Sequence, residues 1–139
     1  MPSFHGRLHA QARAVARLAE EMGREATPLT SLTARIGWAM HRCPLHMSGE
    51  GRLDLRVVQG ANEPLTVKVG AEGLFTIALP DRAAGLIVKV HTGNEGALAV
   101  AVRSVLDEVY PGLFTPPEWA WETVQNVVGA TVGERRAVW

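Results

Sequence analysis

The sequence predicts an α+β domain in which an antiparallel β-sheet of three to five strands carries helices packed on it. Two observations lead to this class: apolar residues recur at helical spacing towards both ends of the chain, and short apolar runs separated by tight turns fill the middle. With 139 residues the chain can bury a core but is short for two domains, so residues 1–139 are expected to form a single domain.

Three helices are predicted from the spacing of apolar residues. The first spans Leu8–Met22, where apolar residues recur at three- and four-residue steps. The second spans about Thr30–His41, with Ile36 and Met40 marking its inward side and a proline beyond its end. The third spans about Ala97–Val109 and stops before a Pro-Gly pair.

The middle of the chain is predicted to form strands, because its apolar and β-branched runs are short and end in glycine or proline. Such strands favour an antiparallel meander. The predicted strands are Leu53–Val58, Leu65–Val69, Leu74–Leu79 and Gly85–His91. A short helix carrying Trp119, Trp121 and Val124 is expected next, and residues 127–139 are expected to add a last strand.

Composition narrows the classes of partner. The formal net charge is zero, so no basic surplus draws the chain to nucleic acid or to an acidic membrane. No apolar run approaches the roughly 18 residues that a membrane span requires, and the N-terminus lacks the pattern of a signal peptide. The single cysteine, Cys43, cannot form an internal disulfide, which favours a cytoplasmic location.

Lysine is unusually rare in this chain. Of 14 basic residues only Lys68 and Lys89 are lysines, and both lie inside apolar, strand-like runs. A lysine buried on a strand needs a partner and can take part in proton transfer. The alternative is that both side chains point to solvent from the open face of an antiparallel sheet.

No cofactor or metal is expected. The stretch from Cys43 to His46 contains two of the residue types that zinc prefers, but no second pair is spaced to complete a closed set of ligands. A glycine-rich phosphate-binding loop of the Walker type is absent from the sequence.

Several motifs in a consistent order resemble the asparaginase II family, which is related to the glutaminase and serine β-lactamase folds. Ser48–Asp54 reads Ser-Gly-Glu-Gly-Arg-Leu-Asp, similar to the family's Ala-Gly-x-Gly-Arg-x-Asp. Lys68–Gly73 matches its Lys-x-Gly-Ala-Glu-Gly, and Gly85–Gly93 is similar to its Gly-x-Ala-x-Lys-x-Asp-Gly run. Order and spacing agree across nearly the whole chain, and the resemblance is to the C-terminal half of the family's members.

The resemblance implies a partial glutaminase/β-lactamase-like fold and an L-asparaginase-like amidohydrolase, which converts asparagine to aspartate and ammonia. Lys68 would be the catalytic residue, acting electrostatically on the substrate carboxylate or on the charge that develops when the amide is attacked. Gly70, Glu72 and Arg52 would bind the substrate. The ligand would be a small-molecule amide or amino acid.

The sequence also departs from the family, because the family's nucleophile lies in a Ser-x-x-Lys motif. None of the four serines here, Ser3, Ser31, Ser48 and Ser104, has a lysine three residues on. Two hypotheses follow: a truncated or split hydrolase whose missing half comes from a partner chain, or a catalytically inactive remnant that acts as a binding or oligomerisation module. A homo-oligomer is also expected, with the apolar side of the first helix and the C-terminal tryptophans as candidate surfaces.

Overall fold

The described residues contain five α-helices and two antiparallel sheets, which confirms the predicted α+β class. The computed structural model describes residues 6–24, 31–114 and 123–138. The helices are α1 (Leu8–Gly23), α2 (Leu32–Arg42), α3 (Pro44–Ser48), α4 (Leu53–Gly60) and α5 (Glu95–Val109). The strands are β1 (Thr66–Gly70), β2 (Leu74–Leu79), β3 (Ala84–Lys89), β4 (Thr123–Gln125) and β5 (Thr131–Glu134). Within the described ranges, no helix combines the length and the apolar character needed to cross a membrane.

The larger sheet is a meander in the order β1-β2-β3, as the sequence predicts. Both pairings are antiparallel, with Lys68 opposite Thr76 and Thr76 opposite Ile87. The strand β2 is therefore central, and β1 and β3 are the two edges. Since side chains alternate between the two faces of a strand, this register places Lys68 and Lys89 on the same face.

The core lies between the sheet and two of the helices, α4 and α5. One face of the sheet contributes fully buried side chains such as Phe75, Ile77 and Val67. Helix α5 contributes Leu98 and Val102 to the same cluster. Helices α1 and α2 cover part of the opposite face. The sheet is thus a middle layer, and its β1 edge is reached by helices from both sides.

The segment Leu53–Val58 is helical, so the predicted first strand is wrong. The eight residues of α4 fit both the two-residue period of a strand and the 3.6-residue period of a helix. Leu53, Leu55 and Val57 alternate as in a strand, whereas Asp54 and Val58 are four residues apart, as on one side of a helix. The buried residues of α4 include Asp54 and Val58, one turn apart. Asp54 lies in the first turn, where a carboxylate interacts favourably with the helix dipole.

Helix α2 is present as predicted, but its inward side is not the predicted one. Leu32 and Ile36 are exposed, whereas Ala34 and Gly37 are buried. The reason is a close approach to α1, since a Cβ on Gly37 would lie 2.4 Å from Met22 Sδ. Only small residues of α2 can face α1 at this distance.

The C-terminal residues form a hairpin of β4 and β5, which confirms a strand in the tail. Val124 belongs to β4 and not to the predicted short helix. Trp119, Trp121 and Trp139 lie outside the described residues. The apolar side of α1 is not a free surface, because Ala19 and Met22 are buried and α1 packs on α2 and β3.

Candidate functional site

The candidate catalytic lysine lies on the edge strand β1. Lys68 is opposite Thr76, whose Oγ1 donates a hydrogen bond to the Lys68 carbonyl at 3.2 Å. The Lys68 side chain is 48% exposed, so its stem follows the protein surface and its ammonium reaches solvent. The alternative prediction that the lysines point to solvent is therefore met in part at Lys68, although its face of the sheet is partly covered by α1 and α2.

The ammonium of Lys68 also contacts a carboxylate. Its Nζ donates to Asp54 Oδ2 at 3.4 Å, and the Val69 backbone N–H donates to the same oxygen at 3.4 Å. The Asp54 side chain is fully buried. Its second oxygen, Oδ1, has no hydrogen-bonding partner among the described residues. The site thus combines a buried, partly satisfied carboxylate with a half-exposed cation.

A cleft of about 200 Å³ is lined by Leu53 and Val69, the sequence neighbours of Asp54 and Lys68, although neither member of the pair lines it. It lies between the end of β1, the loop before α4 and the beginning of α5, and its lining residues are Glu50, Gly51, Arg52, Leu53, Val69, Glu95 and Leu98. Arg52 Nη1 lies 3.6 Å from Glu95 Oε1. Both side chains are well exposed, so this ion pair is weak and can open for another anion.

The loop that carries Arg52 depends on glycine. Gly49 and Gly51 both have positive φ angles, of 88° and 71°, a conformation that other residues seldom adopt. A Cβ at either position would meet no atom within 4 Å. Backbone conformation and not crowding therefore accounts for these glycines, and the loop turns sharply enough to place Arg52 at the cleft.

Gly70 is the last residue of β1 and pairs with Leu74, and Glu72 lies in the turn between β1 and β2. Glu72 and Gly73 both have positive φ, at 56° and 72°, as in primed hairpin turns. The Lys89 ammonium donates to the Glu72 carbonyl at 2.5 Å and to the Val90 carbonyl at 3.1 Å. Lys89 is thus a support for the turn, and its ammonium is already engaged by two carbonyl groups.

The structure brings together only part of the predicted site. Arg52 and the β1 strand meet at one cleft, with Lys68 next to the lining residue Val69. Gly70 and Glu72 are absent from the described residues that line this cleft. Their assignment to substrate binding stays a prediction.

One polar residue of this region is not predicted as part of the site from the sequence, namely Asp54, the partner of Lys68. It ends the Ser48–Asp54 motif and falls within the predicted strand Leu53–Val58. Its signal was a lone carboxylate within the apolar run Leu53–Val58, which requires a partner when the run is buried. Among the described residues, no group of three or more His, Cys, Asp or Glu side chains is arranged to hold a metal ion.

The family model for L-asparaginase II matches residues 1–137. The chain belongs to the L-asparaginase II family. This match covers nearly the whole chain and confirms the resemblance seen in the motifs around Arg52 and Lys68. No curated protein matches the chain significantly. Membership of the L-asparaginase II family associates the chain with amide hydrolysis.

Proposed function

We propose that this chain forms the lysine-bearing wall of an L-asparaginase-like site, which hydrolyses asparagine to aspartate and ammonia. The observation that carries the proposal is the Lys68 ammonium, which is half exposed at the β1 edge and contacts the buried carboxylate of Asp54. The next residue of the strand, Val69, lines the cleft that Arg52 also lines. Family membership supplies the reaction class. Lys68 is the catalytic residue of this proposal.

The chemistry requires donors that remain available after Lys68 has bonded to Asp54. An ammonium has three N–H donors, and one of them is directed at Asp54 Oδ2. The other two can bind a substrate carboxylate or the oxyanion that forms when the amide carbon is attacked. Donors fixed in advance at such an oxygen are among the largest contributions to catalysis.

Substrate binding is assigned to Arg52, with Gly70 and Glu72 as further contacts. The guanidinium of Arg52 forms only an exposed, 3.6 Å pair with Glu95, so a substrate carboxylate can replace Glu95 as its partner. An α-amino acid amide carries both groups that this wall can recognise: a carboxylate for one cation and an amide carbonyl for the other. Asparagine and glutamine share this chemistry.

The nucleophile of the site is proposed to come from residues outside this sequence. Neither lysine lies three residues after a serine, so the 139 residues contain no Ser-x-x-Lys motif. A nucleophile must lie within hydrogen-bonding reach of its activating base. The proposal therefore includes a second segment or partner chain that brings a Ser-x-x-Lys pair to the β1 edge.

The test is a titration of the purified chain with L-aspartate and L-asparagine, with ammonia release measured in parallel. Because Lys68 and Lys89 are the chain's only lysines, labelling lysine with ¹³C and ¹⁵N gives two sets of side-chain signals. We expect L-aspartate to shift the Lys68 signals, and we expect Lys68→Ala to abolish binding. Arg35→Ala, which removes an exposed cation from α2, is the matched control and should bind normally.

The outcomes separate the parts of the proposal. Absence of binding by the folded wild-type chain at millimolar ligand would contradict it. Binding without ammonia release is the expected result. Ammonia release that is lost in Lys68→Ala would support the hydrolase and show that a nucleophile lies within this sequence, contrary to the external source proposed above.

A second candidate function, an inactive module for binding or oligomerisation, is favoured by one observation. Val127, Val128 and Val132 of the β4–β5 hairpin are strongly exposed. An isolated two-stranded hairpin is marginally stable, and exposed apolar groups promote association. If the hairpin joins copies of the chain, Val132→Asp should reduce the mass measured by light scattering to that of a monomer, whereas Val109→Asp on α5 should not. An unchanged mass in both variants would reject this role.

A further inference from the structure

Asp54 is an unusual residue in its surroundings. It lies in the first turn of α4, its side chain is fully buried, and its neighbours Leu55, Val57 and Val58 are buried apolar residues. Placing a carboxylate in such a position is unfavourable unless its oxygens are paired. Asp54 is only partly paired, because Oδ1 has no partner among the described residues.

The contacts of Asp54 all lead to two consecutive residues of β1. The backbone N–H of Val69 and the ammonium of Lys68 both donate to Oδ2, each at 3.4 Å. One oxygen therefore fixes the strand edge and the tip of the lysine together. Val69 also lines the cleft, so Asp54 links the strand that borders the cleft to the ammonium of Lys68.

The contact with Asp54 restricts the conformational freedom of the Lys68 side chain. A half-exposed lysine has a flexible four-carbon stem and samples many rotamers, and each must be given up when a ligand binds. An anchored ammonium has lost most of that freedom before the ligand arrives. Two donors then remain, in directions determined by the position of Asp54.

We propose that Asp54 is a positioning residue that holds the Lys68 ammonium at the β1 edge and sets where it meets the substrate. This inference rests on the proposed function, because it assigns Asp54 a role in the site of Lys68. Lys89 provides an internal comparison: its ammonium is held by the carbonyl groups of Glu72 and Val90, and no carboxylate contacts it among the described residues.

The experiment uses the full chain with labelled lysine and measures the mobility of the two Cε groups by ¹³C relaxation. Asp54→Asn keeps the shape of the side chain and removes its charge. We expect this variant to lose order at Lys68 Cε and to leave Lys89 unchanged. Asp81→Asn makes the same chemical change at an exposed position and should alter neither lysine.

Affinity provides the functional measurement. L-aspartate should bind Asp54→Asn about three- to tenfold more weakly than wild type, the factor expected when one rotamer-rich side chain must be ordered on binding. A Lys68 that keeps its order in Asp54→Asn would overturn the inference, and so would lost order with unchanged affinity. If no form of the chain binds L-aspartate, the proposed function fails, whereas the mobility result still decides whether Asp54 anchors Lys68.

If Asp54→Asn does not fold, the mobility of Lys68 Cε in the wild-type chain still tests the inference. The inference requires Lys68 Cε of the wild-type chain to be about as ordered as Lys89 Cε, although Lys68 is half exposed. A Lys68 signal with the mobility of an unrestrained surface lysine would overturn it.

Discussion

The two edge strands of the three-stranded sheet, β1 and β3, are covered by different kinds of contact with the helices. Strand β3 packs directly against the backbone of α1. A Cβ on Gly85 would lie 2.3 Å from Ala16 N and 2.5 Å from Ala12 O of this helix. At β1 the contacts are polar. His41 Nδ1 donates to the Leu65 carbonyl at 2.9 Å, and Asp54 accepts from Val69.

This difference indicates where the chain can carry chemistry. Close backbone packing at β3 leaves little room for a ligand, and the lysine on that strand is used to support a turn. At β1 the backbone groups are met by side chains of α2 and α4, which also satisfies an edge that would otherwise be free to pair with another strand. The ammonium of Lys68 on β1 makes one contact among the described residues, to Asp54, and retains further donors, which is why the proposed chemistry is placed at this edge.

The largest expected effect on stability comes from disrupting the packing of β3 against α1. Gly85→Val should destabilise the chain by at least about 3 kcal/mol, since the new side chain would overlap backbone atoms of α1. Denaturant unfolding would measure the change. Gly133→Val on β5 is the matched control, because a Cβ there meets nothing within 4 Å. Equal stabilities of the two variants would show that β3 is not closed by close packing.

A smaller effect is expected from one polar contact of β1. Thr66 is buried, and its Oγ1 donates to the Gly37 carbonyl at 2.8 Å. Thr66→Val keeps the shape and removes this buried hydrogen bond, which should cost about 1 kcal/mol of unfolding free energy. Thr76→Val removes a more exposed hydroxyl and should cost less. Thermal unfolding of the pair would test this ranking, and a reversed order would contradict polar closure of the β1 edge.

Removing the ammonium of Lys89 tests whether this lysine has a structural role, in contrast to the role in ligand binding proposed for Lys68. Lys89→Met keeps the stem of the side chain and loses the bonds to the carbonyls of Glu72 and Val90. The expected loss of stability is about 1 kcal/mol, because these charge-assisted bonds are partly exposed. Amide hydrogen exchange in the 71–73 turn should rise. Unchanged exchange there would mean that Lys89 does not support the turn.

The smallest effect on stability is expected at Arg52. Its ion pair with Glu95 is exposed, so Arg52→Gln should change the unfolding free energy by less than about 0.5 kcal/mol. The affinity for L-aspartate should nevertheless fall, because the guanidinium lines the cleft. Calorimetric titration together with thermal unfolding separates the two quantities. A variant that binds like wild type would remove Arg52 from the binding site.

Much of the fold could be predicted from the sequence because its long elements have clear periods. The helices α1, α2 and α5 show apolar residues at helical spacing, and β1 to β3 are bounded by turn residues. Helix α4 was missed because its eight residues fit either period. The inward side of α2 was missed because it depends on how closely Gly37 approaches Met22, which is a tertiary contact.

The candidate site could be predicted only in part. The motif around Lys68 indicated the strand β1, and the structure shows that Arg52 and Val69 of this strand line one cleft. The contact between Lys68 and Asp54 joins residues on different elements and exists only because α4 is a helix that packs on the β1 edge. A lone carboxylate in an apolar run indicates that Asp54 needs a partner, but nothing in the sequence identifies Lys68 as that partner, so the positioning role proposed for Asp54 required the structure.

A crystal structure of the chain with bound L-aspartate would test the central claim most directly. We expect a ligand carboxylate within hydrogen-bonding distance of Lys68 Nζ, with Asp54 still in contact with the same ammonium and the ligand extending into the Arg52 cleft. An aspartate bound at the Lys89 turn or along β3, with Lys68 free of it, would contradict the assignment of the chemistry to the β1 edge.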